Sequence, residues 1–173
     1  MPIPDNCIRG IPKSTCLEDR STANLTLFEF RHNPDRADRW NELSINWMDD
    51  EHTIDFTLQQ KNDEKELLFM VGVAILPLFD LDKIRKRHTN FFHYERQSKP
   101  NNGYHGNLLL NDDTSKTRKT LIRAGLANRS EIHRREDIIN QCKNNPRWSV
   151  VVRRLIKRCR NFIFSSRKRT NGP

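Results

Sequence analysis

A single apolar run, residues 67–79 (LLFMVGVAILPLF), stands out in an otherwise polar sequence. It is shorter than the ~20 apolar residues that a membrane-spanning helix needs, so no membrane span is expected. Odd and even positions in it are equally apolar. Residues 67–76 therefore read as a strand buried on both faces, the central strand of a sheet. Gly72 within it marks a bulge or a close backbone approach.

Shorter segments around it read as strands, two of them with the period of two of half-buried strands. Residues 7–11 form a short extended piece, and 25–31 (LTLFEFR) alternate with two Phe. Residues 43–47 (LSINW) are closed by Asp49 and Asp50, and 54–60 (IDFTLQQ) place Ile54, Phe56 and Leu58 on one face. Two more strands follow at 91–96 (FFHYER) and 104–110 (YHGNLLL). After Pro77 the period lengthens. Asp80 caps a short helix over 81–88, with Asp82 in its positive first turn. Ser115 or Thr117 starts a helix that runs to Ala127. Ser130 caps another to about Lys143, and Pro146 opens a third to about Phe164. Strands first and helices last predict an α+β fold. A largely antiparallel sheet over about residues 7–110 carries helices on one side and is followed by a C-terminal helical region. The expected organisation is an α+β body over 1–114, a helical region packed on it over 115–164, and a basic flexible tail over 165–173.

The charge is as uneven as the hydropathy. The 173 residues hold 31 Lys and Arg against 22 Asp and Glu, a formal net charge of +9. All of the excess lies in residues 147–173, which carry Arg147, Arg153, Arg154, Lys157, Arg158, Arg160, Arg167, Lys168 and Arg169 and no acid. The remaining 146 residues balance 22 basic groups against 22 acidic ones. Nine like charges repel one another and call for a counter-charge. In the helix expected from Pro146, Trp148, Val151, Val152, Leu155, Cys159, Phe162 and Ile163 form an apolar stripe, with the basic residues largely off it. Such a basic face suits a phosphate backbone, an anionic lipid surface or an acidic protein.

No residue pattern dictates a reaction. The sequence has no P-loop, no GxGxxG and no GxSxG, and no catalytic residue is assigned. The six His residues lack ligand spacing, and Cys7, Cys16, Cys142 and Cys159 form no CxxC. No metal and no cofactor is expected, and the thiols are expected to be reduced. Asp55 with Gln59 and Lys61 is a faint version of the metal strand of restriction-type nucleases, with Gln59 where a second carboxylate is preferred. His105, before Gly106 at a strand start, with Asn107 two residues on, suits a polar pocket. The start, MPIPDNCIRGIP, has no basic stretch followed by an apolar core, which predicts a cytoplasmic protein.

Five elements recur in order: Arg9-Gly10-Ile11-Pro12, Phe28 or Phe30, Leu43-Ser44-Ile45, Val71-Gly72-Val73-Ala74 and Asn102-Gly103-Tyr104-His105. This order resembles a group of small uncharacterised bacterial proteins. There, an Arg-x-(Ile/Val)-x-Pro start leads to a Phe, a (Leu/Met)-Ser-Val strand, an apolar strand with Gly or Ala, and an Asn-Pro-x-His element. The resemblance covers about residues 8–110. Pro12 comes one residue early, and Gly103 stands where the group has Pro. The resemblance transfers no activity. It implies that Arg9, Ser44 and His105 meet in space, which with Asn107 suits an anionic or carboxylate-bearing ligand.

The reading favoured is a bacterial cytoplasmic accessory protein rather than an enzyme. It binds nucleic acid, RNA or DNA, or a larger nucleic-acid-bound protein subunit, through the basic C-terminal helix and tail, within an antiviral defence-type complex. One alternative is a protein–protein adaptor in a defence or toxin–antitoxin complex. The other is a small enzyme or ligand-binding module with its site at Arg9, Ser44 and His105.

Overall fold

Only the second half of the apolar run is a strand. In the computed structural model, which describes residues 4–144 apart from 35, 37, 39 and 51, β4 spans Gly72–Pro77. Ahead of it the chain turns back: Leu68 N donates to Gln60 O at 2.9 Å and Val71 N to Ile11 O at 3.1 Å. Leu68 and Met70 are exposed there. The Phe69 ring fills the space that a Cβ on Gly10 would need. Gly10 is thus a point of close approach, and Gly72 opens β4 at a φ of 157°, a conformation that residues with side chains rarely adopt.

The strands described form one seven-stranded sheet. Its order is β5 (Phe92–Arg96), β6 (His105–Asn111), β3 (Trp40–Trp47), β1 (Asn6–Ile11), β4 and β7 (Glu131–Arg134), with the two-residue β2 (Arg31–His32) also beside β3. All of these pairings are antiparallel. The α+β class is as expected. The middle of the sheet, however, is β3 and β1, not residues 67–76. β4 lies second from an edge and is nonetheless buried on both faces.

Alternation along β3 sends Leu43, Ile45 and Trp47 into the main core with Leu108, Leu110 and Phe92. On that side α2 (Leu78–Arg87) adds Leu81 and Ile84, and α3 (Lys116–Ala127) adds Ile122 and Leu126. The alternate residues of β3 face the other way. There α1 (His52–Gln59) covers Asn46, whose Nδ2 donates to Thr57 Oγ1 at 2.8 Å. Helices therefore cover both faces, which corrects the one-sided arrangement expected.

Two segments read as strands fold otherwise. In 25–31, Asn24 Oδ1 accepts from Thr26 N at 3.1 Å and starts a 3₁₀ turn over Leu25–Phe28. A local side-chain bond of this kind competes with extended pairing. Adjacent Leu27 and Phe28 are both buried, which a half-buried strand forbids. In 54–60, Asp50 Oδ1 accepts from Thr53 N at 3.2 Å, and α1 follows. Thr53, Thr57 and Leu58 are its buried positions, a spacing of four and five that belongs to a helix.

The later elements shift less. α2 starts at Leu78, after Pro77, with no side-chain cap. Asp80 lies in its first turn and pairs with Lys83 instead of capping. Ser115 caps α3 as expected, accepting from Arg118 N at 3.3 Å. Ser130 does not start a helix: its hydroxyl donates to Ala127 O at 2.8 Å, and β7 precedes α4 (Arg135–Asn144). The chain divides into two units, residues 1–134 and 135–173. The first contains α3 and β7. Of the second, the described part is α4, with Glu136 and Asp137 favourably placed in its first turn.

Candidate functional site

The face of the sheet opposite the main core is polar over β3, β6 and β5. Register sets Ser44 opposite Asn107 and Asn46 opposite His105, with Glu95 beside Asn107 on the other flank. Asn107 and His105 are both buried. Asn107 Nδ2 donates to Gln97 Oε1 at 2.9 Å and more weakly to Glu95 Oε1 at 3.4 Å. Arg36 Nη1 bridges Glu42 Oε1 and Glu95 Oε1, each at 2.8 Å, while its Nε holds Asp38 at 2.7 Å. Asn102 Nδ2 donates to Asn46 Oδ1 at 2.8 Å.

Two acceptors on this face are left over. Asn107 Oδ1 and His105 Nε2 are buried without a partner. His105 Nδ1 lies 2.8 Å from Gln97 O, so it carries the proton and Nε2 is bare. Burial, and more weakly Lys99, holds this imidazole below its ordinary pKa against the opposing pull of Gln97 O and the Glu42 and Glu95 carboxylates. The native protein thus disfavours the protonated form of His105, whereas the unfolded chain takes up a proton near the ordinary histidine value. The stability this contributes is present above that value and is lost as pH falls below it. Melting temperature measured from pH 8 to pH 5 is expected to fall, and to fall less in His105→Asn, whose amide keeps the donor to Gln97 O. Equal slopes in the two proteins would overturn this assignment.

Arg9 and Ser44 share a cleft of about 290 Å³ lined also by Glu29, Arg31, His32 and Glu42. The cleft exists because β3 is flanked by β1 only at 46–47 and by β2 only at 41–42. Arg9 fills the gap: its Nη1 donates to the Ser44 carbonyl, not the hydroxyl, at 2.8 Å. Burial, with Arg31 nearby, pushes the Arg9 guanidinium down to about 10. Of the four residues expected to share a pocket, Arg9 and Ser44 line this cleft. His105 and Asn107 lie one strand over, buried, and do not line it. The hub of the polar face, Arg36 with Glu42 and Glu95, went unseen in the sequence. Glu42 lies on the same face as Ser44, two residues away, which is the signal that would have found it.

A second groove, of about 490 Å³, has Phe56 and Tyr104 with ring centroids 5.2 Å apart, beside His52, Asp55, Gln59 and Asn101. It corrects the nuclease reading. Asp55 and Gln59 are not on a strand but one helical turn apart, with Gln59 Nε2 donating to Asp55 Oδ2 at 2.6 Å. Among the described residues no group of three His, Cys, Asp or Glu is placed to hold a metal ion, and no helix is long and apolar enough to cross a membrane. The nine basic residues from Arg147 to Arg169 lie outside the described residues.

Fold and site together define an antiparallel α+β protein with a polar, ion-paired sheet face. No family model, no curated protein and no solved structure matches the chain.

Proposed function

We propose that the protein binds nucleic acid, RNA or DNA, through its basic segment 147–173. The single observation that carries this is the segregation of charge: nine cations and no acid in 27 residues, against a balanced remainder. Several acids of the folded part are already engaged with its own cations, which supports the reading. Asp38, Glu42 and Glu95 hold Arg36, Asp49 holds Arg96, Asp82 holds Arg85, and Asp80 holds Lys83 and Arg129. Nine like charges in one segment repel one another, and a polyanionic partner relieves that repulsion. Nucleic acid is the polyanion of the cytoplasm, and an accessory subunit of a defence-type complex would meet it there.

Binding is expected to weaken steeply with salt. If about six to eight phosphates are contacted, log K falls against log salt with a slope of about −5 to −7. Fluorescence anisotropy with a labelled DNA duplex and a labelled single-stranded RNA measures it. Replacing Arg153, Arg154, Lys157, Arg158 and Arg160 by Ala in the full chain should flatten the slope by about 4. No binding, or a slope that ignores both salt and these substitutions, discards the proposal. A protein partner whose co-purification survives nuclease treatment would assign the segment to an adaptor instead.

A further inference from the structure

The unit of residues 1–134 carries a second block of positive charge. Residues 83–94 hold Lys83, Arg85, Lys86 and Arg87 and no acid. Residues 114–130 hold Lys116, Arg118, Lys119, Arg123 and Arg129 and no acid. Some of these are committed within the fold. Lys83 and Arg129 pair with Asp80, Arg85 pairs with Asp82, and Arg123 donates to Leu25 O at 2.9 Å. Lys86, Arg87, Lys116, Arg118 and Lys119 make no ion pair among the described residues. The first three are exposed and the last two half-buried.

These five come from two helix ends that the tertiary structure joins. α2 packs on α3. Arg118 and Arg87 both lie close enough to His88 to disfavour its protonation, on top of the effect of burial. The Arg118 guanidinium stands over the Phe91 ring, 4.1 Å from its centroid, which limits its freedom.

Their positions on the helices differ in sense. Cations at the C-terminal turn of α2 favour that helix. On α3, Lys116, Arg118 and Lys119 crowd the positive N-terminal end, and the first turn holds no acid. Asp112 and Asp113 precede the helix, and Asp112 is held by Asn41. A helix selected for stability alone would carry Asp or Glu in that turn. Cations there oppose the helix dipole and gain only when an anion approaches.

We propose that the last turn of α2 and the first turn of α3 form a second contact surface for nucleic-acid phosphates. This rests on the nucleic-acid reading of 147–173 and extends it to the folded unit. Cations arrayed over two helix ends, one of them a guanidinium fixed on a ring, match the repeated oxyanions of a sugar–phosphate backbone. The surface is expected to position the strand without reading its sequence.

The test uses the full chain, the labelled DNA duplex and the labelled single-stranded RNA over a range of salt concentrations. Replacing Arg87, Arg118 and Lys119 by Ala should flatten the salt slope by about 2–3 and weaken binding at physiological salt by about 30–100-fold. Replacing Lys86 and Lys116 by Ala alters only exposed side chains and keeps the test open should the triple variant fail to fold; it should flatten the slope by about 1–2. If the natural chain binds and only the 147–173 substitutions weaken it, this surface is wrong and the C-terminal reading stands. If the natural chain binds neither probe, both fall. If these variants weaken binding to vesicles of phosphatidylcholine and phosphatidylserine but not to nucleic acid, the surface meets a membrane and the proposal is overturned.

Discussion

Trp47→Ala is expected to destabilise the protein by about 3–5 kcal/mol, a large share of what a domain of this size has to lose. Trp47 is fully buried at the end of β3. Its ring meets Tyr94 edge-on, with centroids 5.7 Å apart, and its Nε1 donates to Glu95 O at 3.3 Å. Gly106, on β6, is pressed against the same indole. A Cβ there would collide with the Trp47 ring and lie 2.6 Å from Glu95 O. Gly106→Ala is therefore destabilising too, and the two changes should not add, because removing the indole frees part of the space that a new methyl needs. Urea unfolding of both single variants and the double variant measures this. Additive costs would show that the ring and the glycine are independent.

Arg36→Met should cost about 1–3 kcal/mol, with partial recovery when Glu95→Gln is added. Arg36 holds Glu42 and Glu95 at once on the polar face, and the guanidinium and the Glu42 side chain are only 16% and 15% exposed. Its three carboxylate partners hold its charge more firmly than that of a free arginine. Without it, two carboxylates face each other with Asn107 Nδ2 as a weak remaining donor to Glu95. The estimate stays below that for a fully buried pair because Glu95 and Asp38 reach solvent, where water screens part of the interaction. Chemical denaturation of the variants provides the measurement. A loss that Glu95→Gln does not relieve would mean that Arg36 acts through packing rather than charge.

The correct and incorrect readings of the sequence divide by the range of the forces involved. Residues 43–47 and 91–96 were legible because one face of each is mainly apolar and the other polar, which a period of two records directly, whereas β6 is buried on both faces and its three successive leucines carry no such period. The Ser115 cap was legible because an N-cap is a contact within four residues. Residues 54–60 were not, since a segment so short fits periods of two and 3.6 alike. What decided between them was Asp50 capping from outside the segment and Asn46 of β3 reaching Thr57. The run 67–79 misled for a related reason: apolar composition favours burial but does not say in which element, and residues 67–71 turn back against Gly10 with Leu68 and Met70 left exposed.

The candidate sites divide in the same way. The positive excess of residues 147–173 is a property of composition, additive along the chain, and needs no fold to be seen. The meeting of Arg87 with Arg118 is not additive, because about thirty residues separate them and only the packing of α2 on α3 brings both beside His88. Arg9 and His105 show the same limit. Sequence could mark each as chemically capable, but strand register put Arg9 on the Ser44 carbonyl and turned His105 inward to Gln97. By itself the chain determined its fold class and where its net charge lies, since both follow from local pattern and counting. Which charges are cancelled and which are left unpaired was decided only by tertiary structure, because Coulombic pairing depends on distance in space rather than along the chain.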